Sequence, residues 1–139
     1  MKLIVIDGQS GRMGQLLIER VRAAQLPCEI TAIGTNAIAT AAMRKAGADQ
    51  GATGENPVVV ACRSADIIVG PLGIAIADSL MGEISPAMAN AVAASRAQRV
   101  LIPMNLCSTY VAGVSMSASA VINDAMDQIR NIVKETENK

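Results

Sequence analysis

Three glycines spaced three residues apart follow directly on an apolar run near the N-terminus. The run Lys2–Ile6 is short and rich in β-branched residues, which is typical of a strand, and Gly8, Gly11 and Gly14 come after it. From Met13 onward the apolar residues take helical spacing. A strand that passes through a glycine turn into a helix presents free backbone N–H groups and the positive end of the helix dipole. The pattern therefore predicts a loop that holds a phosphate or a nucleotide.

The end of the second predicted strand departs from the usual dinucleotide-binding pattern. That pattern has an Asp or Glu there, which accepts a hydrogen bond from the ribose 2′-hydroxyl. This chain has Gly34, Thr35 and Asn36 instead. No arginine follows at once to take a 2′-phosphate, because Arg44 and Lys45 come at the far end of the next predicted helix. The sequence thus leaves the choice between NAD and NADP open.

Asp7, between the first strand and the glycines, is a second departure. A carboxylate about 4 Å from a phosphate costs roughly 4 kcal/mol at an effective dielectric constant of about 20. The helix N-terminus offers only about 0.3–2 kcal/mol in return. Asp7 therefore accepts N–H bonds from its own loop, or holds a Mg²⁺ ion or a sugar hydroxyl, or no phosphate binds. Arg12 has two interpretations as well, a phosphate or ribose contact and a solvated helix start.

The residue types that the chain lacks narrow the chemistry further. It has no His, Trp or Phe, and Tyr110 is its one tyrosine. Histidine-dependent nucleophilic catalysis and a Cys/His zinc site are therefore excluded within this chain. The candidate acid or base groups are Asp7, Lys45, Asp78, Glu83 and Tyr110, and no catalytic residue is assigned. Loop capping is the simpler interpretation of Asp78 and Glu83, and packing is the simpler interpretation of Tyr110.

The composition predicts a single cytoplasmic domain over residues 1–139 that carries no net charge. That charge balance predicts neither nucleic-acid binding nor a membrane partner. The N-terminus opens into a strand without a signal-peptide pattern. The chain has three cysteines, Cys28, Cys62 and Cys107. An odd number of cysteines at wide spacing is typical of buried free thiols. Because 51% of the residues are apolar and only 17% are charged, we expect another subunit to cover part of the surface, as in a homo-oligomer.

The alternation of strand and helix patterns predicts an α/β fold, a doubly wound and mostly parallel sheet of about five strands with helices on both faces, Rossmann-like. The predicted strands are Lys2–Ile6, Glu29–Ile33, Asp66–Val69, Arg99–Ile102 and, less regularly, Tyr110–Val114. The predicted helices are 12–24, Ala37–Ala46, Pro57–Ser64, 85–97 and Ala118–Glu135, with a charged tail at 134–139. Residues 48–55 are too rich in glycine for regular structure, and Gly70–Ile84 is a long loop that could hold a small hairpin. The triplet Val58-Val59-Val60 argues for a strand in place of the third helix.

Ligands of such sheets bind beyond the carboxyl ends of the strands, where four of the predicted loops meet. These loops are Asp7–Gly14, Gly34–Asn36, the long loop from Gly70 and a loop over 103–110. The candidate cofactor-binding residues are Gly8, Gln9, Ser10, Gly11, Arg12, Met13, Gly14, Thr35, Asn36, Gly70, Pro71 and Gly73.

The segment Gly8-Gln-Ser-Gly-Arg-Met-Gly14 after an apolar strand resembles the cofactor loop of the dihydrodipicolinate reductases. Those enzymes have a Gly-x-x-Gly-Arg-Met-Gly turn for NAD(P)H. The resemblance covers roughly the first 24 residues and implies a cofactor-binding role for Gly8, Gly11, Arg12, Met13 and Gly14. The substrate domain of that family, with its histidines and lysine, has no counterpart in this chain, so its catalysis is not implied.

Over nearly its full length the chain resembles a family of short bacterial proteins that is described only as a domain of unknown function. The resemblance is carried by Val5-Ile-Asp-Gly-Gln, Gly34-Thr-Asn-Ala-Ile-Ala-Thr, Lys45-Ala-Gly-Ala-Asp, Gly51-Ala-Thr-Gly-Glu-Asn and Ile68-Val-Gly-Pro-Leu-Gly-Ile-Ala-Ile-Ala-Asp-Ser. It implies that these loops belong together, and they include loops that the fold argument brings to one edge of the sheet.

Three hypotheses follow from the sequence. The first is a small nucleotide-binding protein that takes NAD, NADP or another adenine nucleotide, with turnover left open. The second is a sensor that binds such a nucleotide without catalysis, as the regulatory nucleotide-binding domains of ion channels do. The third is an oligomeric assembly protein in which the glycine loop serves packing alone, since tight strand-to-helix turns use glycine for that purpose too.

Overall fold

A computed structural model describes residues 1–104 and 108–139 of the chain. The strands are β1 (Lys2–Asp7), β2 (Glu29–Gly34), β3 (Gln50–Thr53), β4 (Ile67–Pro71) and β5 (Gln98–Ile102). The helices are α1 (Arg12–Ala23), α2 (Ala37–Lys45), α3 (Glu55–Cys62), α4 (Pro86–Ala94) and α5 (Ala118–Glu137). A short 3-10 turn, Leu72–Ala75, follows β4.

The five strands form one parallel sheet in the order β3-β2-β1-β4-β5. These are the first five positions of the order 3-2-1-4-5-6 that defines the dinucleotide-binding fold. The chain runs outward from β1 to β3, then crosses back over the sheet to β4. The strand order therefore reverses between β1 and β4, and the crevice at this switch point lies above their carboxyl ends. The predicted doubly wound α/β fold is confirmed.

Helices cover both faces of the sheet, and the two faces have separate hydrophobic clusters. Leu3 and Val5 of β1 pack on the side of α1, α2 and α5, whereas Ile4 and Ile6 pack on the side of α3 and α4. Successive side chains of a strand point to opposite faces, so a central strand needs apolar residues at every position. This requirement explains the unbroken apolar run from which the sequence predicted β1.

The prediction was wrong about the position of one strand. Gln50–Thr53 forms the edge strand β3, paired with β2 from Thr31↔Gln50 to Gly34↔Thr53, although its glycines predicted irregular structure. Because its residues are half-buried or exposed, backbone hydrogen bonds hold it without an apolar pattern. Tyr110–Val114 is not a strand: these residues are exposed and irregular.

Two other boundaries differ from the prediction because of local backbone chemistry. The third helix begins at Glu55, two residues before the predicted start at Pro57, with Gly54 as its N-cap. Pro57 then lies in the first turn, where an N–H has no intrahelical acceptor. The strand β4 continues through Gly70 and Pro71, which were predicted to open a loop. The rest of that loop is the 3-10 turn and a series of tight turns, without a hairpin.

Candidate functional site

The glycine loop connects β1 to α1 and is shaped by contacts inside the fold. Gly11 is the N-cap of α1 with φ +74°, a left-handed conformation that glycine adopts without strain. A Cβ atom there would lie 2.7 Å from the Cα atom of Ala39 and 2.9 Å from its carbonyl oxygen. A Cβ atom at Gly14 would collide with the side chain of Met43. Both glycines therefore let the loop and α1 pack closely against α2.

The side chain of Asp7 stabilises this loop through hydrogen bonds. Its carboxylate is buried, with 4% of the residue exposed, and accepts hydrogen bonds from the amides of Gly8 and Gly14 at 2.8 Å each. Burial raises the pKa of the Asp7 carboxyl, the amides of Gly14 and Gly8 oppose this, and the nearby charge of Glu83 adds to the rise. The sequence left three interpretations of Asp7 open. Its contacts agree with the first of them, in which Asp7 accepts N–H bonds from its own loop. Asp7 thus occupies one amide of the loop, that of Gly8, and one amide in the first turn of α1, that of Gly14, and neither is left for a phosphate.

Glu83 lies above the same loop and joins three segments of the chain. Its Oε2 atom accepts hydrogen bonds from the Gln9 amide and the Thr35 hydroxyl, each at 2.6 Å. Its Oε1 atom accepts a longer hydrogen bond of 3.4 Å from Nδ2 of Asn36. We name these three donors, the Gln9 amide, the Thr35 hydroxyl and the Asn36 Nδ2, the anion cradle. They lie at the carboxyl ends of β1 and β2 and converge on one carboxylate.

Gly8 forms the floor of the anion cradle. A Cβ atom on Gly8 would collide with Oε2 of Glu83 and lie 2.7 Å from Oγ1 of Thr35. Glycine at this position therefore permits an acid group to approach the backbone closely, as the glycines of nucleotide-binding loops do for a phosphate.

A strained loop between β4 and α4 presents Glu83. Asp78, Leu80 and Met81 have φ values of 64°, 55° and 55°, and Gly82 follows with φ 87°. Left-handed conformations cost a non-glycine residue about 1–2 kcal/mol each. The Asp78 amide donates to the Ile84 carbonyl at 2.8 Å, which closes the loop on itself. The left-handed residues hold Glu83 in reach of the anion cradle.

Asn36 connects the anion cradle to helix α2. Its Oδ1 atom accepts a hydrogen bond of 2.9 Å from the Ala39 amide, which makes it the N-cap of α2. Its Nδ2 atom donates to the Gln9 carbonyl at 3.0 Å. One side chain thus ends the β2 loop, begins a helix and holds the glycine loop in place.

The glycine loop keeps further donors free at its outer surface. Within residues 1–104 and 108–139, the amides of Ser10 and Arg12 have no hydrogen-bond acceptor. The Arg12 side chain is exposed, and no ion pair or hydrogen bond engages it in the same part of the chain. The loop therefore offers two amides and one guanidinium group next to the anion cradle.

The structure separates the candidate cofactor-binding residues of the sequence in space. Gly8, Gln9, Thr35 and Asn36 meet at the anion cradle. Gly70, Pro71 and Gly73 are buried in β4 and the 3-10 turn, where Gly70 packs against the Ile6 carbonyl and Gly73 accepts a hydrogen bond from the Ser79 hydroxyl. Met13 is half-buried against the cluster beside α1.

Several candidate acid or base groups lie apart from the anion cradle. Lys45 is exposed at the opposite end of α2. The Asp78 side chain is exposed, and no hydrogen bond joins it to the described residues. Tyr110 is 96% exposed in the segment after β5, so the packing interpretation was wrong for it.

The two cysteines that the structure describes are unreactive because their thiols are buried. Cys28 and Cys62 are buried free thiols, as predicted. Burial raises the pKa of both thiols, for Cys62 to about 11. Cys107 and the neighbouring Asn105 lie outside the described residues. Elsewhere in the described chain, no cluster of His, Cys, Asp and Glu is suited to a metal ion.

The fold and the site together define a doubly wound α/β protein with a glycine loop at its switch point. Residues 2–134 match the family described as Domain of unknown function (DUF3842), and the chain belongs to this family. A comparison with curated proteins finds no significant match. No helix in the described ranges is long and apolar enough to cross a membrane.

Among solved structures, the chain is similar to a dodecameric FMN-dependent UbiX-like decarboxylase from Escherichia coli O157:H7. The two share 19% sequence identity with a TM-score of 0.46, over 95% of this chain and 76% of the other. A likeness of this size does not identify a ligand for this chain. The resemblance of the glycine loop to that of the dihydrodipicolinate reductases stays a prediction.

Proposed function

We propose that the chain binds a nucleotide at the carboxyl edge of the sheet, through the loops that follow β1 and β2. The observation that carries this proposal is the anion cradle, in which the Gln9 amide and the Thr35 hydroxyl hold one carboxylate oxygen at 2.6 Å. Hydrogen bonds to an ionised acceptor are shorter and about twice as strong as neutral ones. Donors that converge on the carboxylate of Glu83 are equally suited to a phosphate.

A phosphate and Glu83 compete for these donors. Two negative charges about 4 Å apart cost roughly 4 kcal/mol at an effective dielectric constant of about 20. We therefore infer that a phosphate takes the place of the Glu83 carboxylate, while Asp7 stays buried on its own amides. The Ser10 and Arg12 amides and the exposed Arg12 guanidinium then supply further phosphate contacts, as a helix N-terminus commonly does.

An adenine nucleotide is the ligand class that we propose, with NAD and NADP as its dinucleotide members. The order of the strands is that of dinucleotide-binding folds, and the loop lies at the reversal point where such ligands bind. Thr35 and Asn36 are neutral, so they favour neither a ribose 2′-hydroxyl nor a 2′-phosphate. The proposal is binding alone, because no acid or base has been assigned to a reaction.

A ligand panel tests this proposal. The thermal unfolding of the protein is measured with NAD, NADP, ATP, AMP and FMN at millimolar concentrations. A ligand at about 100 times its Kd stabilises the folded state by roughly 2.7 kcal/mol. At least one member of the panel should raise the midpoint. If none does, the nucleotide proposal is wrong.

Variants of the anion cradle test where the ligand binds. Thr35→Val removes one donor and should weaken binding by roughly ten- to a hundredfold, because a hydrogen bond to a charged group contributes roughly 1.5–3 kcal/mol. Glu83→Gln removes the competing charge and should strengthen binding by a similar factor. Asp78→Asn is the matched control, since it removes a carboxylate from the same loop without a contact to the anion cradle. Weaker binding by Glu83→Gln would contradict the competition.

An assembly or regulatory role is the second candidate, in which the glycine loop serves packing alone. The observation that favours it is that contacts inside the fold account for Gly8, Gly11 and Gly14 without a ligand. A protein of this kind would associate with itself, and no nucleotide in the panel would raise its unfolding midpoint. The ligand panel therefore separates the two candidates.

A further inference from the structure

The edge strand β5 borders a groove on the surface opposite the β3 edge of the sheet. The groove has a volume of about 630 Å³ and lies between β5, helix α5 and the segment 111–116. Within the described ranges no strand pairs with the outer edge of β5. Unpaired strand edges attract other chains, and proteins commonly cover them.

Exposed apolar side chains concentrate beside this groove. The described residues include eight large hydrophobic side chains that are exposed, and four of them lie between Tyr110 and Met116. Tyr110 is 96% exposed and Met116 is 57% exposed, and Val111, Val114 and Met116 line the groove itself. Tyrosine is among the residues that contribute most to protein–protein interfaces.

The groove carries charges of both signs, so the grooves of two copies of the chain are complementary in charge. Arg99 of β5 and the carboxylates Asp124 and Glu135 of α5 all line it. Across residues 1–104 and 108–139, no ion pair engages any of the three. The Arg99 guanidinium instead donates to the backbone carbonyl of Ser95 at 2.6 Å. In an interface with twofold symmetry the same patch faces itself, so one copy's arginine meets the other copy's carboxylates.

We infer that a second copy of this chain docks on the groove, with Tyr110 and Met116 as apolar anchors and Arg99 opposite the carboxylates Asp124 and Glu135. The chain has no net charge, so two copies approach without long-range repulsion. This association is independent of the proposed nucleotide site at the carboxyl edge.

Sedimentation over a wide range of protein concentration, without nucleotide, tests the inference. The wild-type chain should form a dimer. Tyr110→Asp and Arg99→Glu should each raise the dimer Kd about tenfold or more, which equals about 1.4 kcal/mol. Met81→Asp is the matched control, because Met81 is 94% exposed outside the groove, and it should leave the Kd unchanged. Circular dichroism shows that each variant folds.

A reversal of all three charges sharpens the test. In the triple variant R99E/D124R/E135R every cross-dimer pair is restored with opposite sign, so its Kd should return toward the wild-type value. A protein that is monomeric at every concentration would overturn the inference. So would a dimer that Tyr110→Asp and Arg99→Glu leave intact, because its interface would lie elsewhere.

Discussion

Two carboxylates with different environments determine the character of the site. Asp7 is buried and held by two amides, whereas Glu83 is half-buried and shared among three donors. The first belongs to the scaffold of the loop, since its removal would leave buried N–H groups without acceptors. The second accepts hydrogen bonds from the donors that we propose for the ligand. The proposed function follows from this difference.

The raised pKa of Asp7 gives a pH-dependent prediction. The native state holds a proton on this group above the ordinary aspartate pKa of 3.8, so the unfolded state binds fewer protons in that window. The stability that Asp7 contributes is therefore fully present below 3.8 and is lost as the pH rises through the folded pKa. Asp7→Asn cannot accept both amide bonds and should destabilise the fold by about 1–3 kcal/mol.

Urea unfolding of the wild type and Asp7→Asn at a series of pH values measures this effect. The free-energy gap between them should shrink as the pH is raised through the window, then become constant. The subtraction removes the titration of the carboxyl groups that do not interact with Asp7, whereas the charge of Glu83 acts on Asp7 directly. A gap that grows with pH would mean that the amides, and not burial, dominate the pKa of Asp7.

Gly11 provides a second prediction at this scale, which concerns packing. Gly11→Ala places a Cβ atom against the backbone of Ala39 and also forces alanine into a left-handed conformation. The combined cost should be about 2–5 kcal/mol, from strain of roughly 1–2 and overpacking of roughly 1–3. Gly82→Ala is the matched control, with φ +87° and no atom within 4 Å of the added Cβ. Equal losses of unfolding free energy in the two variants would show that the contact with Ala39 is unimportant.

The sequence predicted the role of some residues and not of others, for a physical reason. Asp7 and its glycine partners are close along the chain, so local turn geometry brings them together. Glu83 meets Gln9 across 74 positions of the chain. That contact depends on several left-handed residues in one loop, and Leu80 and Met81 give no sign of such a conformation in their side chains.

At the scale of elements, the caps of the helices connect the fold to the site. Asn36 caps α2, and Ser85 caps α4 by accepting a hydrogen bond from the Met88 amide at 3.2 Å. Both caps are recognisable in the sequence, because Asn and Ser are preferred N-caps. The strand β3 was not recognisable, since an exposed edge strand needs no apolar pattern. Sequence patterns thus reveal elements through burial and capping, and they miss an edge strand whose pairing with β2 needs no apolar pattern.

The two caps also allow a prediction. Ser85→Ala removes a cap alone and should cost about 0.5–2 kcal/mol of stability. Asn36→Ala removes a cap and also the hydrogen bonds that Nδ2 donates to Gln9 and Glu83, of which the shorter one, to Gln9, adds roughly 0.5–1.5 kcal/mol. Chemical denaturation should therefore show the larger loss for Asn36→Ala. If both variants lose the same amount, the link from α2 to the glycine loop contributes nothing.

At the scale of the whole molecule, the sheet brings the β1 and β2 loops to one edge and leaves the β5 groove at its side. The doubly wound fold was predictable, because the central strands are apolar on both faces and helices alternate with them. The place of the candidate site followed from the strand order. The identity of the group that fills the anion cradle did not, because it depends on how a distant loop turns. The proposed nucleotide site and the proposed docking groove thus lie on separate surfaces of the molecule.

The central claim, that a nucleotide binds at the anion cradle, is tested most directly by nuclear magnetic resonance. The backbone amide signals of the isotope-labelled protein are followed while NAD or another nucleotide of the panel is added. The signals of Gln9, Ser10, Arg12 and Thr35 should shift and saturate together, while those of the groove segment 111–116 stay unchanged. The claim would be contradicted if no nucleotide moved these signals, or if saturable shifts occurred only away from the loops that follow β1 and β2.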